Sequence, residues 1–169
     1  MRSSESDFGH VYESHVWHVY GFFAYRVSSR ELAEDLTQGT FERALRNWAK
    51  FDRRKASERT WLLAIARNLL IDHHRRKQPV LTAEIDERQM PSVDGPEAAF
   101  DSWPELTAVL AQLGDREREI LALRFGADLS GPEIATLMDL SLANVQQIIS
   151  RSLRRLRTEL DGSSISVRA

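Results

Sequence analysis

Four of the chain's five prolines fall in one stretch, "KQPVLTAEIDERQMPSVDGPEAAFDSWP", and none precedes it. A proline inside a helix removes a backbone donor and clashes with the preceding turn, at a cost of about 3 kcal/mol. Long helices are therefore open to the residues before this stretch and to most of those after it, but not to the stretch itself. It carries no convincing apolar period and is acidic, with 2 Lys/Arg against 6 Asp/Glu over residues 77–104. We read it as a linker, which gives an all-α chain. Two small helical domains, 1–76 and 104–169, are joined by an acidic linker at 77–103, and the second contains a helix-turn-helix.

Helical periodicity supports both halves. In the first, Phe8, Val11/Tyr12, His15/Val16, Val19 and Phe22/Phe23 recur at helical spacing. "SSRE" then offers Ser28 and Glu31 in the capping-box relation, followed by an apolar stripe of Leu32, Leu36, Ala44/Leu45 and Trp48. After "FDRRKAS" a nearly apolar helix restarts in "ERTWLLAIARNLLIDHHRR". In the second half, Gly114 and Gly126 read as helix stops, Asp115 as an N-cap, and Ser130 with Glu133 as a capping box. Ser141 is placed to cap a last long helix. The N-terminal "RSSES" and C-terminal "DGSSISVRA" read as solvated tails.

The short helix "GPEIATLMD", a tight turn and a longer basic helix make the pattern of a helix-turn-helix. On a wheel of 100° per residue, Ile149, Ser152, Leu153, Leu156 and Leu160 cluster within about 80° of Val145. Gln146, Gln147, Ser150, Arg151, Arg154, Arg155 and Arg157 gather opposite. Glutamine can make bidentate contact with adenine edges, and arginine supplies phosphate contacts or guanine readout. An ordinary solvated basic face is the alternative, but four arginines within seven residues favour DNA.

Composition excludes several classes. With no cysteine there are no disulfides, zinc-thiolate sites or thiol catalysis, and a reducing cytoplasmic setting fits. No stretch reaches the length of a membrane span, and the start lacks a signal-peptide core. Adjacent His73 and His74 point about 100° apart on a helix and chelate poorly together, so no metal is expected. No nucleophile, phosphate loop or cofactor motif appears, so neither catalysis nor a cofactor is expected. The net charge of −2 conceals an uneven distribution: residues 1–76 carry 13 Lys/Arg against 10 Asp/Glu.

"AEDLTQGTFERALRNWAKF" followed by "TWLLAIARNLLIDHHRR" resembles region 2 of bacterial sigma factors of the extracytoplasmic-function (ECF) type. The matching positions are Ala33, Glu34, Asp35, Leu36, Gln38 and Phe41, then Trp61, Leu62, Ile65, Ala66, Asn68 and Asp72. "REILALRFGADLSGPEIATLMDLSLANVQQIISRSLRRLR" resembles region 4 of the same sigma-70 family. The resemblance implies a transcription initiation factor that binds core RNA polymerase and directs it to promoters. It implies duplex readout of the −35 element by region 4, and opening and single-stranded capture of the −10 element by region 2. An anti-sigma factor as regulator is implied as well.

On that reading, Asp35, Gln38, Phe41, Arg43, Asn47 and Trp48 form the polymerase-binding set. Phe51, Arg53, Arg54, Arg59, Trp61, Arg67, Asn68, His74, Arg75 and Arg76 form the −10 set, because unpaired bases are held by aromatic stacking, hydrogen bonds and cations. Asn68 shares a helical face with Trp61, Ile65 and Asp72, which predicts a buried amide needing a partner. Ser130, Ser141, Ala143, Asn144, Gln146, Gln147, Ser150, Arg151 and Arg154 form the −35 set. Two departures stand out: Gly39 replaces a common acid, and Ile148 replaces a common arginine, so a phosphate contact there is expected to be missing. The competing reading is a conventional helix-turn-helix regulator with an N-terminal dimerisation or ligand module, and a polymerase adaptor that reads no DNA is a third.

Overall fold

A computed structural model describes residues 2–27, 29–77 and 104–166; the stretch assigned as the linker, beyond Lys77, lies outside them. Every regular element among the described residues is helical. The first half forms α1 (Arg2–Ala24), α2 (Arg30–Asn47) and α3 (Glu58–Lys77), with a single 3₁₀ turn (Trp48–Lys50) after α2. The second forms α4 (Pro104–Ala111), α5 (Asp115–Leu121), a π-helical turn (Ala122–Gly126), α6 (Gly131–Met138) and α7 (Leu142–Ser166).

Local chemistry sets the boundaries. α2 starts at Ser29 rather than Ser28, which lies outside the described residues: Ser29 is extended, and its Oγ accepts the Leu32 N–H at 3.0 Å. α5 is preceded by extended Gly114, whose N–H donates to Glu117 Oε2 at 3.1 Å, so Asp115 is its first helical residue instead of its cap. A carboxylate there still favours the positive helix end. The Ser130–Glu133 box is formed as expected, with the Ser130 N–H donating to Glu133 at 2.8 Å. Ser141 Oγ accepts the Asn144 N–H at 3.2 Å and opens α7. Both segments read as tails carry helix where they are described: α1 begins at Arg2 and α7 runs through Ser166.

Between α6 and α7, Asp139 adopts φ 54°, ψ 51°, and the Leu140 N–H returns to the Ala135 carbonyl at 2.9 Å. This left-handed residue reverses the chain tightly and sets the helix-turn-helix angle. Ile134, Ala135 and Val145 fill the corner.

The apolar interior crosses from one half to the other. Phe22 and Phe23 of α1 belong to one continuous cluster with Ala33, Phe41, Leu62 and Leu63, and also with Ile120, Leu123, Leu129 and Val145. A smaller cluster of Val109, Leu110, Leu113, Leu121 and Leu156 ties α4 and α5 to α7. The π turn packs directly on α1, where Gly21 meets Gly126. A Cβ added at Gly21 would stand 2.1 Å from the Gly126 carbonyl oxygen, so only glycine permits this approach. Gly126 is thus a packing glycine, and no described glycine has positive φ. Buried Arg26, at the end of α1, reaches across to Asp115 at 2.9 Å, and Arg67 of α3 reaches Glu119 at 2.8 Å.

Candidate functional surfaces

Three surfaces collect the residues singled out by the sequence. On α2, Asp35, Gln38 and Asn47 are exposed; Gln38 donates to Glu42 at 3.0 Å, and Asn47 donates to the Arg43 carbonyl at 2.8 Å. Arg43 turns toward α3 and meets Asp72 at 3.2 Å. Phe41 is buried and Trp48 half-buried, so both belong chiefly to the packing. Gln38 instead borders an apolar groove of about 710 Å³ between α1 and α2, walled by Tyr12, Trp17, Tyr20, Phe41 and Leu45.

That groove went unread in the sequence. Trp17 is 75 % exposed and Leu45 52 % exposed, so Leu45 stands outside the packing stripe that its spacing suggests. The available signal was Trp17 itself, a large aromatic standing off the helical period of α1.

The second surface follows the 3₁₀ turn and α3. Trp48 and Phe51 stack at 5.2 Å with an 18° interplanar angle, and Phe51 lies 4.7 Å from Trp61. These three half-buried rings form a short ladder, closed at one end by Phe8 at 5.4 Å from Trp48. Arg53 binds Glu58 at 2.8 Å, and Arg54 folds back on Asp52 at 3.0 Å. Asn68 is exposed, which corrects the expectation of a buried amide; Asp72, its helical neighbour, is engaged by Arg43. Arg75 and Arg76 are exposed at the end of α3. Three members of this set point into the other half. Arg59 lies 3.6 Å from Asp128, Arg67 binds Glu119 and donates to the Leu137 carbonyl at 3.1 Å, and half-buried His74 sits near Arg26 and Asp115.

Burial lowers the pKa of His15, His73 and His74; Glu58 acts in the opposite sense on His15, and Arg26 adds to the lowering at His74. The fold therefore favours the neutral imidazoles relative to the unfolded chain. Between the ordinary value of 6.5 and the lowered folded values, the unfolded chain binds more protons than the folded one, so stability rises with pH there. Denaturation midpoints should fall as pH drops from about 7 toward 5. The decline should be shallower for His15→Gln/His73→Gln/His74→Gln, and an identical slope in that variant would refute the assignment. No group of histidines and carboxylates among the described residues is arranged to hold a metal.

The third surface is the outer side of α7. Ala143, Asn144, Gln146, Gln147, Ser150, Arg151 and Arg154 are exposed along it, while Val145, Ile148, Ser152 and Leu156 are buried. Leu153, expected inside, is 42 % exposed, and buried Ile148 takes an inward position instead. Its aliphatic side chain thus suits a core site. Ser130 and Ser141 are engaged as caps. Arg155 donates to the Gln112 carbonyl at 3.2 Å, which ties α7 to the end of α4.

The family model described as Sigma-70 region 2 matches residues 11–80, and that described as Sigma-70, region 4 matches residues 109–158. The ECF RNA polymerase sigma factor SigM of Bacillus subtilis is 30 % identical over 87 % of this chain and 91 % of its own length. The structure of CnrH in complex with the cytosolic domain of CnrY superposes with a TM-score of 0.66 at 22 % identity, over 94 % of this chain and 90 % of that one. The sigma factor RpoE from Bartonella quintana, solved with the anti-sigma factor NepR, gives a TM-score of 0.65 at 18 % identity over 95 % and 98 %. Both likenesses establish the fold.

Proposed function

This chain belongs to the sigma-70 family as an ECF-type sigma factor, and from that membership we propose how its surfaces divide the work of initiation. It binds core RNA polymerase and directs promoter-specific initiation by recognising −10 and −35 elements. The division into residues 1–76 for docking and −10 capture, 77–103 as acidic linker and 104–169 for −35 readout is our assignment. The chain catalyses no reaction of its own in this scheme and works in the cytoplasm. No helix among the described residues is long and apolar enough to cross a membrane.

Docking falls to the exposed part of α2, Asp35 and Gln38, together with the groove it shares with α1. The exposed Trp17 beside that groove is the observation that carries this assignment. Large aromatics in a partly desolvated pocket are the commonest anchors of protein interfaces. Arg43 and Asn47 extend the surface toward α3. An anti-sigma factor covering the same groove would compete with polymerase.

For −10 capture, the Trp48–Phe51–Trp61 ladder offers stacking faces, while Asn68 supplies an amide, His74 an imidazole, and Arg53, Arg54, Arg59, Arg67, Arg75 and Arg76 the cations. For −35 readout, Asn144, Gln146, Gln147, Ser150, Arg151 and Arg154 face outward from α7. Trp17→Ala combined with Gln38→Ala should weaken binding to purified core polymerase by at least about tenfold while leaving helicity and the denaturation midpoint in place. Unchanged affinity would move the docking surface elsewhere.

A further inference from the structure

Six large apolar side chains stand exposed among the described residues, and three of them, Tyr12, Trp17 and Leu45, wall the α1–α2 groove. Of the rest, Phe125 pairs with the Arg124 guanidinium, 5.9 Å from its ring centre. Leu153 lies roughly 16 Å along α7 from its start, at 1.5 Å per residue. Leu142 is different: it is the first residue of α7, and its side chain is 39 % exposed on a helix whose outer side is otherwise mostly amides, hydroxyls and guanidinium groups.

Its neighbour across the helix-turn-helix makes room for it. Gly131, the first residue of α6, faces the leucine, and a Cβ added there would stand 3.0 Å from Leu142 Cδ1, closer than ordinary contact allows. The missing Cβ leaves a cradle for the isobutyl group, and α6 thereby fixes it at the tip of α7. The nearby hydroxyls are committed elsewhere. Ser141 Oγ accepts the Asn144 N–H at 3.2 Å, and Ser130 Oγ donates to Glu133 at 2.7 Å.

The chemistry of the groove names what such a side chain can read. A recognition helix meets base edges with its N-terminal residues. Those edges are donors and acceptors throughout, apart from one apolar group, the C5-methyl of thymine. A leucine set against a donor or acceptor strips water from it and returns no hydrogen bond. Set against the methyl, it gains the transfer free energy of one buried carbon, equivalent to about fourfold in affinity.

We propose that Leu142 is a specificity-determining residue for the −35 element: cradled by Gly131, it packs on the C5-methyl of one thymine. Gly131 is then a positioning residue that acts through Leu142. The inference rests on the assignment of α7 to −35 readout and adds an apolar contact to the polar ones of Gln146 and Gln147.

The test uses the full chain bound to core polymerase. Selection from a promoter library randomised across the −35 element first gives the preferred sequence. Each thymine in it, on either strand, is then replaced singly by deoxyuridine, which pairs as thymine does and lacks only the methyl group. One of these replacements should weaken binding by the unsubstituted chain about fourfold. Leu142→Ala should bind the thymine and deoxyuridine duplexes equally. Leu142→Met, which keeps an apolar tip, should retain the discrimination and serves as the reference should alanine lower stability. Gly131→Ala should reduce the discrimination by displacing the leucine.

An element in which no thymine is sensitive to loss of its methyl would overturn the inference. So would a deoxyuridine penalty that survives Leu142→Ala, because the leucine would then serve packing alone. Transcription that keeps its dependence on the −35 element without any methyl effect sinks the role of Leu142 by itself. Transcription indifferent to the whole element sinks the α7 assignment as well.

Discussion

Asp115→Ala lowers the stability of the folded chain by about 3–5 kcal/mol, the range for removing one partner from a buried ion pair. Arg26 and Arg118 are 3 % and 4 % exposed, and Asp115 Oδ1 lies 2.9 Å from the first and 3.8 Å from the second. One carboxylate thus lies against two buried guanidinium groups. Burial, and after it the neighbouring Arg26, lowers the pKa of Arg118, while Asp115 acts in the opposite sense. Without the carboxylate, Arg26 keeps a bond to the backbone carbonyl of residue 115 at 3.0 Å, which neutralises nothing. The α5 N-terminus also loses a favourable first-turn acid.

Urea denaturation distinguishes two routes to that loss. If the halves stay joined until global unfolding, the midpoint falls and the slope is retained. If the α1–π turn contact opens first, the slope falls as well, because less surface remains to be exposed. Arg26→Met/Asp115→Leu should recover only part of the stability: the apolar pair avoids the desolvation cost at position 26, but Arg118 still loses the Asp115 carboxylate. A loss below about 1 kcal/mol for Asp115→Ala would show that water reaches the pair and that it contributes as a surface bridge.

What could be read in advance follows from how local each cause is. The Ser130–Glu133 box and the Ser141 cap depend on residues three apart, and both formed as the spacing requires. Ser28 and Ser29 are chemically equivalent neighbours, so composition alone could not say which would cap. Gly114 and Gly126 looked alike as helix stops; the first became an extended cap and the second a packing surface, a difference decided by Gly21, far away in the chain. Asn68 shows the limit of the helical wheel. It shares a face with Trp61 and Asp72, but exposure depends on what another element lays over that face. The pairing of Arg67 with Glu119 across 52 residues has no periodic signature at all. The family pattern proposes which residues matter, while their present partners were visible only in the folded chain.

The α7 surface carries the other large effect. Gln147→Ala and Arg151→Ala should each reduce transcription from a promoter dependent on its −35 element by about 5- to 150-fold, the equivalent of 1–3 kcal/mol for a well-formed base contact. Both side chains are exposed on the outer face of a helix whose inner face is fixed by Val145, Ile148 and Leu156, so truncation leaves the core alone. The two losses should differ in kind. If Gln147 reads a base edge, its replacement relaxes sequence preference at one position and leaves the salt dependence of binding intact. If Arg151 contacts phosphate, its replacement weakens all sequences alike and reduces the slope of log affinity against log salt by about one. The nearest charged neighbour among its ion pairs, Glu117 at 4.0 Å, is too distant to hold the guanidinium firmly. Arg155→Ala is the informative contrast. Its guanidinium binds the Gln112 carbonyl, so its loss should loosen the α4–α7 contact and lower thermal stability while sequence preference stays constant. Equal changes in base preference for Arg155→Ala and Gln147→Ala would mean that α7 presents a different edge to DNA.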